Sequence, residues 1–374
     1  MQKSSARFGD PVARVATPAL VIDLDAMERN LAAMASYARS HGVRLRPHAK
    51  MHKSAAIAKA QIAAGAVGVC VQKLSEAETL ADAGITDIFI SNEVIDGGKL
   101  TRVAALAGRI KLAIAVDSTL GVDRLANACE DAGSAPDVFV EIDVGQGRCG
   151  VSPAQAGALA HHVVARGLRF AGLQAYQGGA QHIEGAAERE AAMRNAADVV
   201  RAAQTSISSA GLACPLVTGG GTGTFVFETT SRLWGELQPG SYLFMDREYA
   251  GVEPAEQAPR FEHALFVKSQ VMSRNASHVV VDAGIKAYAV DAGLPLAWGR
   301  ELEMVKFGDE HGVLKPSGSG AFTDLPQLGE TVWLVPGHCD PTVNLHDGYV
   351  AVRGGLEDGV VEALWPVDTR GCMI

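Results

Sequence analysis

Residues 110–150 read IKLAIAVDSTLGVDRLANACEDAGSAPDVFVEIDVGQGRCG. IKLAIAV is an apolar run rich in β-branched residues and reads as a buried strand. Asp117-Ser118 stands ahead of Leu120, where either side chain can cap a helix. DVFVEID is a second strand run, and it opens into a polar, glycine-rich loop from Glu141 to Gly150. Strand, helix and strand in succession make a β/α unit. The alternation extends both ways, from about residue 18 to 245. Upstream come ALVIDL (19–24) with the amphipathic stretch Asp25 to His41, VRLRPH with a helix after Lys53, GVCV with a helix from Ser75, and DIFISN with a helix from about Lys99. LRFAGLQAY and LVTGGG follow downstream. Ser75-Glu76-Ala77-Glu78 has the spacing of a capping box. Counted from ALVIDL, the strands suit an α/β fold of the (β/α)8 TIM-like barrel type better than an open sheet. No GxGxxG follows the first strand, which speaks against a dinucleotide fold.

After about residue 250 helical periodicity fades. ALFVKSQVMS, HVVVDAG, TVWLVPGH, GYVAVRGG and VVEALWPV read as strands divided by turn residues. The expected organisation is a barrel over residues 18–250 and a mostly antiparallel β domain over 251–374, joined by the N-terminal segment 1–17. A chain of 374 residues with 48% hydrophobic residues has the length and composition for two such cores. Its net charge of -9 lacks the footprint of a nucleic-acid binder. No apolar stretch approaches the ~20 residues of a membrane helix. The N-terminus carries no apolar signal core, and the six cysteines are scattered without CxxC pairs. Reduced thiols in the cytoplasm are the expectation.

In a barrel, chemistry sits where strands end. The Gly219–Gly223 loop, with Thr222, can bring backbone N–H groups close to a phosphate; a plain tight turn is the alternative. Lys50 lies in RPHAKMHK, at the end of the second run. Beside a phosphate site it can form a Schiff base with an aldehyde cofactor, provided burial or nearby cations lower its pKa. Arg46, His48, His52 and Lys53 are the expected cations. Arg148, on the glycine-rich loop, either faces a cofactor ring or pairs with a neighbouring carboxylate. In Gly337-His338-Cys339-Asp340, extended backbone would put His338 and Asp340 on one side and Cys339 on the other. An imidazole and a carboxylate on one face can hold a divalent cation. Adjacent His346-Asp347 reads as a turn.

RPHAKMHK, QKLSEAETLADAG, ISNEV, EIDVGQGRCGV, FAGLQAYQG, TGGGTGT, ELQPGSYLFMD and HCDPTVNLHDG together resemble the D-threonine aldolase group of the alanine-racemase-like, fold-type-III pyridoxal-phosphate enzymes. The resemblance runs over nearly the whole chain and implies an N-terminal barrel with a C-terminal β domain. It implies that Lys50 carries pyridoxal 5'-phosphate and that Arg148 and Tyr176 line its ring. Gln72, Gly221, Thr222, Gly223, Gly240, Ser241 and Tyr249 fall where the group binds the cofactor. His338 and Asp340 match a pair that binds manganese or magnesium, apart from the cofactor. His182 matches a histidine near the substrate hydroxyl. The implied activity is cleavage of a D-3-hydroxy-α-amino acid (D-threonine, D-phenylserine or 3-hydroxy-D-aspartate) to glycine and an aldehyde, with no nucleic-acid or membrane partner. A homodimer is expected from the fold family alone. The rivals are a dehydratase releasing ammonia and a 2-oxo acid, whose relatives carry His-x-Cys and zinc, a racemase, and a non-enzymatic pyridoxal-phosphate carrier.

Overall fold

Strand periodicity of two decides how the first core is built. A computed structural model describes residues 6–318 and 325–374. After β1 (Ala19–Asp23) come eight short strands: β2 (Arg44–Leu45), β3 (Val69–Val71), β4 (Asp87–Ile90), β5 (Lys111–Val116), β6 (Asp137–Glu141), β7 (Arg169–Gln174), β8 (Val217–Gly219) and β9 (Glu236–Leu237). These eight are parallel, in the order β2-β9-β8-β7-β6-β5-β4-β3. The ring closes where His48, just past β2, bridges Cys70 of β3. Ile88, Ile90, Ile114, Val138 and Val140 face the helices, while Cys70, Phe89, Ala115 and Phe139 turn inward and fill the barrel. Ser118 caps the helix Thr119–Ala132, its Oγ accepting from Gly121 N at 3.2 Å.

Two expectations need correction here. The run at 19–24 is not a barrel strand: β1 pairs antiparallel with β10 (Leu265–Arg274) and parallel with β16 (Gly348–Arg353) in the other sheet. Leu20, Val21 and Ile22 are buried on both faces. A strand buried on both faces reads the same in either sheet. The eighth barrel strand is instead β9, two residues long between Gly235 and Pro239 and too short to show a period. The capping box also sits earlier. Helix Leu74–Asp82 starts one residue sooner, and Glu76 accepts from the Gln72 and Lys73 N–H groups at 3.0 and 3.2 Å.

The second sheet adds β11 (Val279–Val281), β12 (Leu296–Ala297), β13 (Leu302–Phe307), β14 (Gly312–Pro316), β15 (Thr331–Val335) and β17 (Val360–Pro366). Its order is β11-β14-β13-β12-β15-β10-β1-β16-β17, and β11 also pairs with β10, so six of these strands close on themselves as an antiparallel barrel. The N-terminal segment packs on this domain: Gly9 N donates to Val361 O at 2.8 Å, and buried Lys268 donates to the Val12 and Val15 carbonyls. Between β15 and β16 lies a short helix, Cys339–Val343, whose N-terminus reaches the strand ends of the parallel barrel. Among the described residues no helix is long and apolar enough to cross a membrane.

Candidate active site

The sharp turn after His48 aims Lys50 into a cavity of about 170 Å³ over the strand ends. Gln72, Arg148, Tyr176 and Tyr249 line it, with Gly221, Thr222, Gly240 and Ser241 at one end and Asp340 reaching in from the second domain. Gly223 lies outside this lining. Its N–H donates to Gln181 Oε1 at 3.0 Å, and a Cβ there would lie 2.1 Å from the Gln181 carbonyl oxygen. Only glycine lets this loop pack so closely. Thr222 Oγ1 accepts from Tyr242 N at 2.9 Å, which staples the glycine loop to the Ser241–Leu243 turn. The cup they form has the hydroxyl and backbone composition of a phosphate site.

Beneath the loop, Glu228 is fully buried and accepts from Thr224 Oγ1 at 2.7 Å. Burial pushes its carboxyl up from the ordinary 4.5 to about 7. The folded state then binds a proton that the unfolded chain has lost, so stability falls as pH rises from about 4.5 to about 7. Glu228→Gln is expected to flatten this slope, with up to about 3 kcal/mol gained above neutrality in denaturant titrations.

The expected cations around Lys50 are already committed. Arg46 pairs with Asp87 and Glu236, and Lys53 with Glu76 at 2.6 Å. His48 and His52 are buried, which holds His48 well below the usual imidazole range and His52 at about 4. Neutral His48 Nε2 accepts from Gln72 Nε2 at 3.0 Å, so Gln72 bridges the barrel interior to the pocket. Lys50 Nζ donates to Asp340 Oδ2 at 2.6 Å, and that carboxylate, outweighing burial, raises the amine above its ordinary value. A lowered amine is therefore not what this arrangement provides. Asp340 is thus in direct contact with Lys50.

Asp340 has a second oxygen. Oδ1 is buried without a hydrogen-bond partner among the described residues and lies 3.7 Å from His338 Nε2. His338 Nδ1 is 2.7 Å from Asp291 Oδ2, a pairing that orients the ring and leaves Nε2 facing Asp340. An orphan carboxylate oxygen opposite a carboxylate-oriented imidazole fits a divalent cation. The geometry does not rest on an extended strand: His338 is extended, but Cys339 begins the helix, with its side chain in the core at 0% exposure. Buried Asp246 pins this corner, accepting from Cys339 N and Tyr249 N, each at 3.0 Å. His182 stands at the rim, Nδ1 3.3 Å from Glu248 Oε1 and its ring 4.7 Å from that of Tyr249. Burial lowers its pKa despite Glu248. Arg148 lies 5.7 Å over the Tyr176 ring and 3.8 Å from Glu141.

Sequence reasoning passed over Ser91, Asp246 and Asp291, and read His48 only as a cation near Lys50. Asp246 stood within a motif; Asp291 is a loop residue that carries no local signal.

Comparison with known proteins agrees with this architecture. Residues 22–248 match the family "Alanine racemase, N-terminal domain", and residues 264–352 match "Putative serine dehydratase domain". A D-threonine aldolase from Arthrobacter sp. is 46% identical over 371 residues, 98% of this chain and 96% of that protein. A 3-hydroxy-D-aspartate aldolase from Paracoccus denitrificans (strain Pd 1222) is 42% identical over 96% of this chain and 92% of that protein. The crystal structure of D-threonine aldolase from Filomicrobium marinum superposes with a TM-score of 0.95 at 48% identity, covering 99% of this chain and 100% of that one. Matched in sequence and fold along nearly its whole length, the chain belongs to the D-threonine aldolase group of the alanine-racemase-like, fold-type-III pyridoxal-phosphate enzymes.

Proposed function

We propose that this chain is a pyridoxal-phosphate and divalent-cation-dependent aldolase that cleaves D-3-hydroxy-α-amino acids to glycine and an aldehyde. The observation that carries the reading is Asp340, one oxygen on the cofactor lysine and the other orphaned opposite His338. Lys50 holds the cofactor's aldehyde carbon. Gly221, Thr222, Gly240 and Ser241 hold its phosphate, and Arg148 and Tyr176 flank its ring. When bound, the ring supplies an electron sink at the substrate's α-carbon and the cation lowers the pKa of the β-hydroxyl. His338 and Asp340 hold the cation, manganese or magnesium. His182 removes the β-hydroxyl proton as the Cα–Cβ bond breaks, and Lys50 returns a proton to Cα.

Product analysis tests the reading. With D-threonine, pyridoxal phosphate and manganese, equal amounts of glycine and acetaldehyde are expected. Formation of 2-oxobutyrate and ammonia instead would make it a dehydratase, and no turnover of any D-3-hydroxyamino acid would leave a carrier.

The phosphate cup has its own test. In Gly221→Ala the new Cβ meets Gln181 Oε1 at 2.3 Å, and Thr222→Val removes the staple to Tyr242. The double variant is expected to bind pyridoxal phosphate about 10–100-fold more weakly in titrations of cofactor-free protein. Unchanged affinity would return the loop to a plain turn.

A further inference from the structure

Glu93, Asp117 and Glu141 stand at or just beyond the C-terminal ends of three neighbouring barrel strands, β4, β5 and β6. Ligand-type atoms of Glu93, Asp117 and Cys149 lie within 4.8 Å of one another. Glu141 is only 4% exposed, and its carboxyl faces Glu93 within hydrogen-bonding reach. Both Glu93 oxygens and Glu141 Oε2 are buried and lack a partner among the described residues. Two buried carboxylates turned toward each other need a proton or a cation between them.

The backbone around this cluster is tied down. Asp143 Oδ1 accepts from Gly145 N and Gly147 N at 2.9 and 3.0 Å, and Asp117 Oδ2 accepts from Gly150 N at 3.3 Å. Val151 N donates to Glu141 O at 2.9 Å. The Arg148 side chain has no such tether among the described residues. It is set between the Tyr176 ring on one side and Glu141 on the other, at ion-pair rather than hydrogen-bond distance.

We propose that buried Glu141, turned toward Glu93, keeps its proton near neutral pH and so aims Arg148 across the cofactor pocket. Glu141 is thus a positioning residue. With Glu141 ionised, Arg148 would be drawn down onto it, off Tyr176 and out of the pocket. With Glu141 neutral, the guanidinium keeps its charge toward the cavity. Burial and then Glu93 push the Glu141 carboxyl up to about 9, which agrees with a retained proton. Arg148 already supplies one positive charge, and burial raises the Cys149 thiol to about 11, so it stays protonated and is a poor cation ligand. A proton therefore suits the cluster better than a metal ion.

The role of Arg148 rests on the proposed function; the proton on Glu141 does not. Infrared difference spectra of cofactor-free protein near neutral pH test the proton directly. Glu141→Gln should remove one protonated-carboxyl C=O band relative to the parent, leaving the Glu228 contribution in place. With cofactor bound, Glu141→Ala should lower kcat/KM about 10–100-fold by misplacing Arg148. Glu141→Gln, which keeps the donor and acceptor of the protonated acid, should restore most of this loss while removing the alkaline fall of the pH profile. A Glu141→Gln spectrum that keeps every protonated-carboxyl band of the parent overturns the proton on Glu141. Glu141→Ala with the parent's rate and pH profile overturns the positioning role. A second divalent ion in the parent that Glu141→Gln loses would make the cluster a cation site instead. Loss of the band in a protein without aldolase activity would sink the functional reading while sparing the protonated Glu141.

Discussion

Lys50→Ala is expected to lower aldol cleavage by at least about 10³-fold and to remove the visible absorbance of the bound cofactor. Circular dichroism and the thermal transition should stay close to the parent. The side chain projects into a cavity, and its loss leaves Asp340 with a solvent-accessible space rather than a sealed one. Borohydride reduction of the parent, followed by peptide mapping, should find the cofactor on Lys50. The natural competitor, Lys53, is held elsewhere: its Nζ donates to Glu76 Oε1 at 2.6 Å and to Thr369 O at 3.1 Å in a buried site. Its backbone sits at φ +53°, in the left-handed region. Lys53→Met should therefore lower stability by about 3 kcal/mol, by stranding a buried carboxylate, without moving the attachment point. Cofactor found on Lys53, or full activity in Lys50→Ala, would remove the centre of the proposed mechanism.

Periodicity carried most of the fold and little of the site. Strands β3 to β8 stand where apolar runs stood, because inward Cys70, Phe89 and Phe139 alternate with outward aliphatic residues. Sheet membership was not legible in β1, since hydrogen-bond partners hundreds of residues away decide it: Ile22 pairs with Leu265 and Ala351. Nor was β9, whose two residues carry no pattern. The site residues at strand ends were visible as polar, glycine-rich interruptions of apolar runs. What they do to one another was not. The sequence placed cations around Lys50; folding spends Arg46 and Lys53 on carboxylates and buries the two histidines as neutral groups. The ion pair between Lys50 and Asp340 spans 290 positions of sequence and belongs to the packing of one domain on the other. Its counterpart, Asp291 on His338, spans 47 positions and joins two loops of the second domain.

That contact changes which variant isolates the cation. Asp340→Ala would strip the cation site and also the partner of Lys50, so its effects on cofactor and cation would be mixed. His338→Ala removes a donor that faces Asp340 and Asp291 and does not touch Lys50 in this structure. It is expected to keep the visible absorbance of bound cofactor while lowering cleavage by about 10³-fold, and chelation of the parent should do the same. The physical reason is the substrate's neutral β-hydroxyl, a poor source of an alkoxide near neutral pH. A divalent ion can lower such a pKa by several units. Cys339→Ala gives the control. The thiol is fully buried among core side chains, so its loss should cost about 1 kcal/mol in denaturant titrations, with metal content and rate retained. Metal analysis separates the alternatives. If Cys339→Ala loses the ion and His338→Ala keeps it, the thiol would have to leave the core to act as a ligand, and a soft zinc site would replace the hard cation inferred from Asp340.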